Sequence, residues 1–254
     1  MANGYGMSTN PSADGGVESL RLKVGDDEAH YLKAGKGRPV VLLHGGATDS
    51  RDWLETMRPL SASHTFYAPD LIGFGLSDKT KDGYRLSDFV EFAIGFTEAL
   101  DLSYPVLVGH SLGGRICLEI ALRRPERVHK LVLVDTSGFS KLGRLGSFMG
   151  FAAWQARRIL RRPQPYPRFL KEDGAYADWV CLEELPGLKV PTLIVWSRRD
   201  LYYPLAGAIR AADLISKARL EVLPCQGHAP HRQRRGCFNK LLLDFLNHDQ
   251  DSEV

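Results

Sequence analysis

The chain has 254 residues and a mass of 28.3 kDa, enough for one large domain or two small ones. Hydrophobic residues make up 44% and charged residues 25%, which excludes a wholly disordered chain. A formal charge of +3, from 33 basic and 30 acidic side chains, is too small to single out nucleic acid as a partner. The four cysteines, Cys117, Cys181, Cys225 and Cys237, form no CxxC pair. Neither a disulfide framework nor a zinc site is expected, and the thiols read as reduced in a cytoplasmic protein.

Residues 1–16 carry no apolar core of a secretory signal and are expected to be a flexible leader, with 249–254 a flexible tail. Two alternating segments, 18–23 and 29–34, predict an antiparallel hairpin around Gly25, Asp26 and Asp27. Six short apolar runs follow, at 39–43, 65–68, 105–108, 131–134, 192–196 and 220–223. They lack alternation, as strands buried on both faces of a parallel sheet do. Helical patterns lie between them at 87–100, 111–124, 205–215 and 235–247, the first with Ser87 as its expected cap. This order predicts an α/β fold with a mostly parallel sheet and helices on both faces.

The segment 137–186 breaks the rhythm. It is too long for an ordinary connection and predicts a helical insertion interrupted by Pro163, Pro165 and Pro167. The core is then 17–136 and 187–248. Between 141 and 171 the insertion holds eight basic residues and no acidic one.

The strongest motif is Gly109-His110-Ser111-Leu112-Gly113, a GxSxG between a strand and a helix. So sharp a turn strains the serine backbone and leaves no room for bulk two positions away, hence the flanking glycines. It also leaves the Leu112 amide free at a helix N-terminus, where an oxyanion is favoured. Serine needs a base. His228 lies directly after the last apolar strand and is preferred over His231, its one serious competitor. The base needs a carboxylate; Asp200, after the strand at 192–196, is preferred over Asp135. A second oxyanion donor is expected from the loop His44-Gly45-Gly46-Ala47: the Gly46 amide, with Ala47 as alternate. His44 and Gly45 are expected to shape that loop. The glycine-rich stretch 70–78 lacks the lysine of a P-loop and is expected to be structural.

Taken in order, His44–Ala47, the loop 70–78, the GxSxG, Leu131–Asp135, Val190–Trp196 with Asp200, and Gly227–His231 resemble the α/β-hydrolase superfamily over about residues 18–247. The resemblance implies an eight-stranded, mostly parallel sheet with a short helical cap insertion, and no cofactor or metal. It implies attack by Ser111 on a carbonyl, proton removal by His228 and orientation of His228 by Asp200. A serine rather than an aspartate at position 111 disfavours dehalogenase and epoxide-hydrolase chemistry. The subset it looks most like is esterases, lipases and carbon–carbon hydrolases. Two departures stand out: a short interval from Ser111 to Asp200, and a basic run, Arg232 to Arg235, after His228.

Hydrolysis of a carboxylic ester or thioester is the first functional expectation. The alternative is a carbon–carbon hydrolase, or a lyase or cyclase using the same three residues; a non-catalytic binding protein comes last. The expected partner is a small acyl substrate, the chain being a monomer or homodimer. Phe148, Phe151, Trp154 and Trp179 are candidates for lining its pocket, and Arg115 equally for holding a substrate carboxylate or for a salt bridge on the helix flank. The basic run in the insertion reads more simply as a solvated helix face than as a membrane-surface contact.

Overall fold

The computed structural model describes residues 16–80, 84–143 and 181–248, together with 148, 151, 152, 155, 156, 159 and 160. The expected tail, nearly all of the leader and most of the expected cap, including Trp154 and Trp179, lie outside the described residues.

Eight strands form one sheet: β1 (Val17–Val24), β2 (Asp27–Gly35), β3 (Arg38–Leu43), β4 (His64–Pro69), β5 (Val106–His110), β6 (Lys130–Val134), β7 (Thr192–Arg199) and β8 (Ala218–Gln226). Their order is β1-β2-β4-β3-β5-β6-β7-β8. β1 and β2 form the expected hairpin, β2 also runs antiparallel to β4, and the other pairs are parallel. The helices that flank the sheet include α1 (Leu54–Leu60), α2 (Leu86–Ala99), α3 (Leu112–Arg123), α4 (Leu205–Leu214) and α5 (Arg235–Asn247).

Side chains alternate across a strand, and each apolar run therefore feeds two cores. Val41, Leu43, Leu107, Leu131 and Leu133 face the core shared with α2, α3 and α4. Their neighbours Val40, Leu42, Val106, Val108 and Val132 face the core shared with α1 and α5. Both sets are essentially without solvent access. This is why the central runs show no polar alternation.

Two local features depart from expectation. The 3-10 turn Ser50–Trp53 and α1 were not foreseen; Pro59 lies inside α1, and its seven residues give a weak periodic signal. Trp53 and Met57 are nonetheless fully buried there. Ser87 does not cap α2. The helix starts one residue earlier, with Arg85 at the cap position and the Asp88 carboxylate accepting the Arg85 amide at 2.7 Å.

The loops after β3, β5, β6, β7 and β8 all leave the same edge of the sheet, because these strands are parallel. That edge collects the residues singled out by the motifs.

Candidate active site

Ser111 sits between β5 and α3 with φ 52° and ψ −113°, the strained conformation expected of a sharp strand–helix turn. The glycines around it are sterically required. A Cβ on Gly109 would lie 2.3 Å from the Gly113 carbonyl oxygen, and one on Gly113 would lie 2.2 Å from that of Leu43.

Three side chains converge above this turn. His228 Nε2 is 2.9 Å from Ser111 Oγ, and His228 Nδ1 is 2.9 Å from Asp200 Oδ2. A carboxylate only accepts, so Nδ1 carries the proton and Nε2 accepts from the serine hydroxyl. Asp200 Oδ1 accepts the Tyr202 and Tyr203 amides at 2.7 and 3.1 Å, which fixes the carboxylate in its loop after β7. The Tyr202 ring lies 4.6 Å from the His228 ring, a neighbour the motifs did not reveal.

Asp135 does not cap its own loop. It bridges β6 to β7, accepting the Ser197 amide and hydroxyl at 2.7 Å each. Burial, and then the charge of Asp200, push its carboxyl well above the usual range.

The loop after β3 passes directly over the turn, since a Cβ on Gly45 would sit 3.3 Å from Ser111 Cβ. The buried His44 accepts the Leu71 amide at Nε2, 2.9 Å away, so Nδ1–H donates to the Gly45 carbonyl at 2.8 Å. Burial lowers the His44 pKa, in keeping with a neutral ring. The Thr48 amide and hydroxyl add two more bonds to that carbonyl. A trans peptide holds its C=O and N–H on opposite sides. With the Gly45 oxygen pinned, the Gly46 N–H points away from these donors. Leu112, first residue of α3, has an amide with no partner inside its helix. Ala47, the alternate donor, is the more exposed loop residue.

The loop 70–78 is wound around a carboxylate. Asp70 accepts from His30 Nδ1 at 2.8 Å, the Ser50 amide at 2.7 Å and the Leu76 amide at 2.7 Å. Gly75 at φ 48° leaves space for it; a Cβ there would meet Asp70 Oδ2 at 2.1 Å.

Phe148 and Phe151 are 67% and 58% exposed. Arg115 is sealed beneath Gly138 and Cys181, with its guanidinium paired to Glu119. Cys181 is itself buried, its thiol pushed up to about 11.

Among the described residues, two clusters carry atom types that a divalent ion takes: Asp135, Asp200 and His228, and a buried group of Asp52, His110 and His231. In the first, both His228 nitrogens are hydrogen-bonded; in the second, only Nε2 of each histidine is. His231 Nε2 donates to Asp52 Oδ2 at 3.1 Å, and His110 Nε2 donates to the His228 carbonyl at 2.6 Å. His231 is therefore bonded to Asp52, while the Ser111 hydroxyl meets His228. Among the described residues, no helix is long and apolar enough to cross a membrane.

A family model described as the alpha/beta hydrolase fold matches residues 38–163. The chain is 30% identical over 252 residues to 2-hydroxymuconate semialdehyde hydrolase of Pseudomonas sp. (strain CF600), covering 84% of this chain and 88% of that protein. It is 29% identical to 2-hydroxy-6-oxo-2,4-heptadienoate hydrolase of Pseudomonas putida, covering 94% and 98%. Among solved structures it resembles a meta-cleavage product hydrolase from Pseudomonas fluorescens IP01 in complex with acetates. The TM-score there is 0.75 at 25% identity, over 89% of this chain and 97% of the other.

Proposed function

This chain belongs to the α/β-hydrolase family, and on that premise we propose that it is a serine hydrolase cleaving a carbon–carbon bond beside a ketone. The observation that carries the serine part is the continuous hydrogen-bonded line from Ser111 through His228 to Asp200, with 2.9 Å at each link. Ser111 Oγ attacks the carbonyl carbon while His228 takes the hydroxyl proton. Asp200 keeps the proton on Nδ1 and stabilises the imidazolium. The Leu112 and Gly46 amides are the donors we assign to the oxyanion.

The choice of bond is supported by the relatives' names. A 2-hydroxy-6-oxo-2,4-dienoate has no ester or amide, so its hydrolysis must break the bond between C5 and C6. Direct rupture leaves a vinyl anion. Moving the 2-hydroxyl proton to C5 first leaves instead an electron pair delocalised onto the new C2 carbonyl. Water then releases the acyl group from Ser111, with His228 as base. Ester or thioester hydrolysis, which the motifs alone put first, uses the same serine chemistry on a better leaving group.

The test is turnover of 2-hydroxy-6-oxo-6-phenylhexa-2,4-dienoate, followed by loss of its visible absorbance, beside a p-nitrophenyl ester. Dienoate cleavage that vanishes in Ser111→Ala supports the proposal. Turnover of the ester alone moves the assignment to an esterase. Turnover of neither, with Ser111 unreactive to a fluorophosphonate, removes the serine-hydrolase reading.

A further inference from the structure

Behind the Ser111 turn lies a run of four ring contacts that the chemistry above does not use. Trp53 packs on His231 at 4.6 Å between ring centres, His231 on His110 at 4.6 Å, His110 on His228 at 5.0 Å, and His228 on Tyr202 at 4.6 Å. His110 is thus sandwiched between the candidate base and a second histidine. It is also the residue immediately before the candidate nucleophile.

The His110 side chain is 7% exposed, and its two nitrogens are not equivalent. Nε2 is 2.6 Å from the His228 carbonyl oxygen. A carbonyl offers only lone pairs, so Nε2 carries the proton. Nδ1 is buried with no hydrogen-bond partner and faces Asp52 Oδ2 at 3.7 Å. Burial, with His231 and His228 adding to it, holds the His110 pKa well below the ordinary imidazole value, in keeping with a neutral ring and a single N–H.

The ring is held on both sides. A Cβ on Gly45 would approach Nδ1 to 2.8 Å, so the loop after β3 closes one edge. His231 covers a face, and is itself fixed by donating to Asp52 at 3.1 Å. Asp52 is buried, which pushes its carboxyl up, but the His231 hydrogen bond and the basic groups around it, Arg232 among them, outweigh this and hold it well below the usual range. An ionised Asp52 is therefore a fixed acceptor for His231.

We propose that His110 is a positioning residue for His228: its Nε2–H, aimed by Gly45 and by the Asp52–His231 pair, holds the His228 backbone so that the imidazole meets Ser111 Oγ. The proposal deepens the serine-hydrolase reading and rests on it. The nucleophile and its base come from loops 117 positions apart. The side-chain bond between them forms part of the reaction and is remade in each cycle. The His110 bond ties the same two loops through the backbone and is untouched by proton transfer. A misplacement of about 1 Å in such a pair costs up to about 10²-fold in rate.

The experiment uses the whole chain with His110 replaced by Phe, Gln or Asn. Gln carries an N–H near the position of imidazole Nε2; Asn is too short to reach it; Phe keeps the ring but donates nothing. The rate of Ser111 phosphonylation by a fluorophosphonate is measured, together with the downfield proton signal of the His228 Nδ1–H···Asp200 bond, assigned by its loss in His228→Gln. In His110→Phe and His110→Asn we expect labelling to slow by about 10- to 100-fold and the signal to broaden. In His110→Gln we expect labelling within about threefold of wild type and a sharp signal. Labelling in His110→Phe at the wild-type rate overturns the proposal. So does His110→Gln as slow as His110→Phe, because packing rather than the N–H is then responsible. If the wild-type serine itself resists the probe, that failure belongs to the serine-hydrolase reading, and the NMR signal decides: sharp in His110→Phe, the proposal fails; broadened there and sharp in His110→Gln, it stands.

Discussion

Asp135 Oδ2 lies 3.9 Å from His228 Nδ1, the nitrogen that Asp200 Oδ2 meets at 2.9 Å. Two carboxyl groups thus flank one imidazole proton. Burial and the neighbouring charge of Asp200 push the Asp135 carboxyl well above the usual carboxylate range. Replacing Asp200 with Ala removes that charge, which lets Asp135 ionise and support the imidazolium from its longer range. Asp200→Ala is expected to lower kcat/KM by about 10³–10⁴. It should still retain about tenfold more activity than the Asp135→Asn/Asp200→Ala double variant, since contacting residues are not additive. Asp135→Asn alone keeps the side-chain shape and an acceptor for the Ser197 amide, and should stay within about threefold of wild type. Equal rates in the Asp200 variant and the double variant would show that Asp135 contributes nothing to the base.

Gly45 separates the expected oxyanion loop from the serine turn by the smallest possible margin. An added methyl would sit 2.8 Å from His110 Nδ1 and 3.3 Å from Ser111 Cβ. Neither neighbour is a flexible chain end, so the loop must shift. Gly45→Ala is expected to cost about 1–3 kcal/mol of stability as an overpacking change. It should slow Ser111 phosphonylation by about tenfold or more, because the Gly46 amide and the serine move apart. Urea unfolding and probe labelling measured side by side check both.

How much of this was legible in the sequence depends on how each feature is built. The central strands could be read because residues buried on both faces leave unbroken apolar runs such as Leu131 to Val134. The line of Ser111, His228 and Asp200 could be read because each follows its own strand, and the turn chemistry leaves a local mark. Asp52 could not. It is 179 positions from His231, its hydrogen-bond partner, and comes from a short turn with no periodic pattern. Only the packing of α1 and α5 on one face of the sheet brings the two together. His110 could be placed but not interpreted, since the motif fixes its backbone and says nothing about what its ring meets. Arg115 is open to two readings from its position just past the serine, a substrate contact or a salt bridge on the helix flank, and the fold pairs it with Glu119.

Arg115 provides a direct check of that last point. Its Nη2 donates to Glu119, which also pairs with Arg123 at 2.8 Å. Two further guanidinium nitrogens, Nε and Nη1, are buried with no hydrogen-bond partner. Arg115→Met keeps the length, removes those unsatisfied groups and leaves Glu119 its second partner. Removing one member of a buried ion pair costs about 3–5 kcal/mol when the other is left unpaired; Glu119 keeps Arg123, so stability should fall by less than that. KM for the dienoate should stay within about twofold, as expected of a side chain that does not reach the substrate. A KM rise of about tenfold at unchanged kcat would instead return Arg115 to the binding site.

Asp70 sets the acid limit of the fold. Burial pushes its carboxyl up, but the His30 side chain and the Leu76 and Ser50 bonds outweigh this and hold it well below the usual carboxylate range. A carboxyl with a lowered folded pKa contributes stability that is complete above its unfolded value. That contribution is lost as pH falls through the folded value. Wild-type stability is therefore expected to begin declining below about pH 4, the ordinary aspartate range. Asp70→Asn sets an amide NH₂ against the Leu76 N–H and the His30 N–H, with a cost of roughly 2–3 kcal/mol at neutral pH. The gap between the two proteins should narrow as the pH drops from 5 toward 3, because over that range the unfolded wild-type chain takes up a proton at Asp70 and the unfolded variant has none to take up. Urea unfolding at several pH values measures the gap. A gap that stays constant down to about pH 3 would mean that the charge of Asp70 does not stabilise the loop, and that its shape alone does.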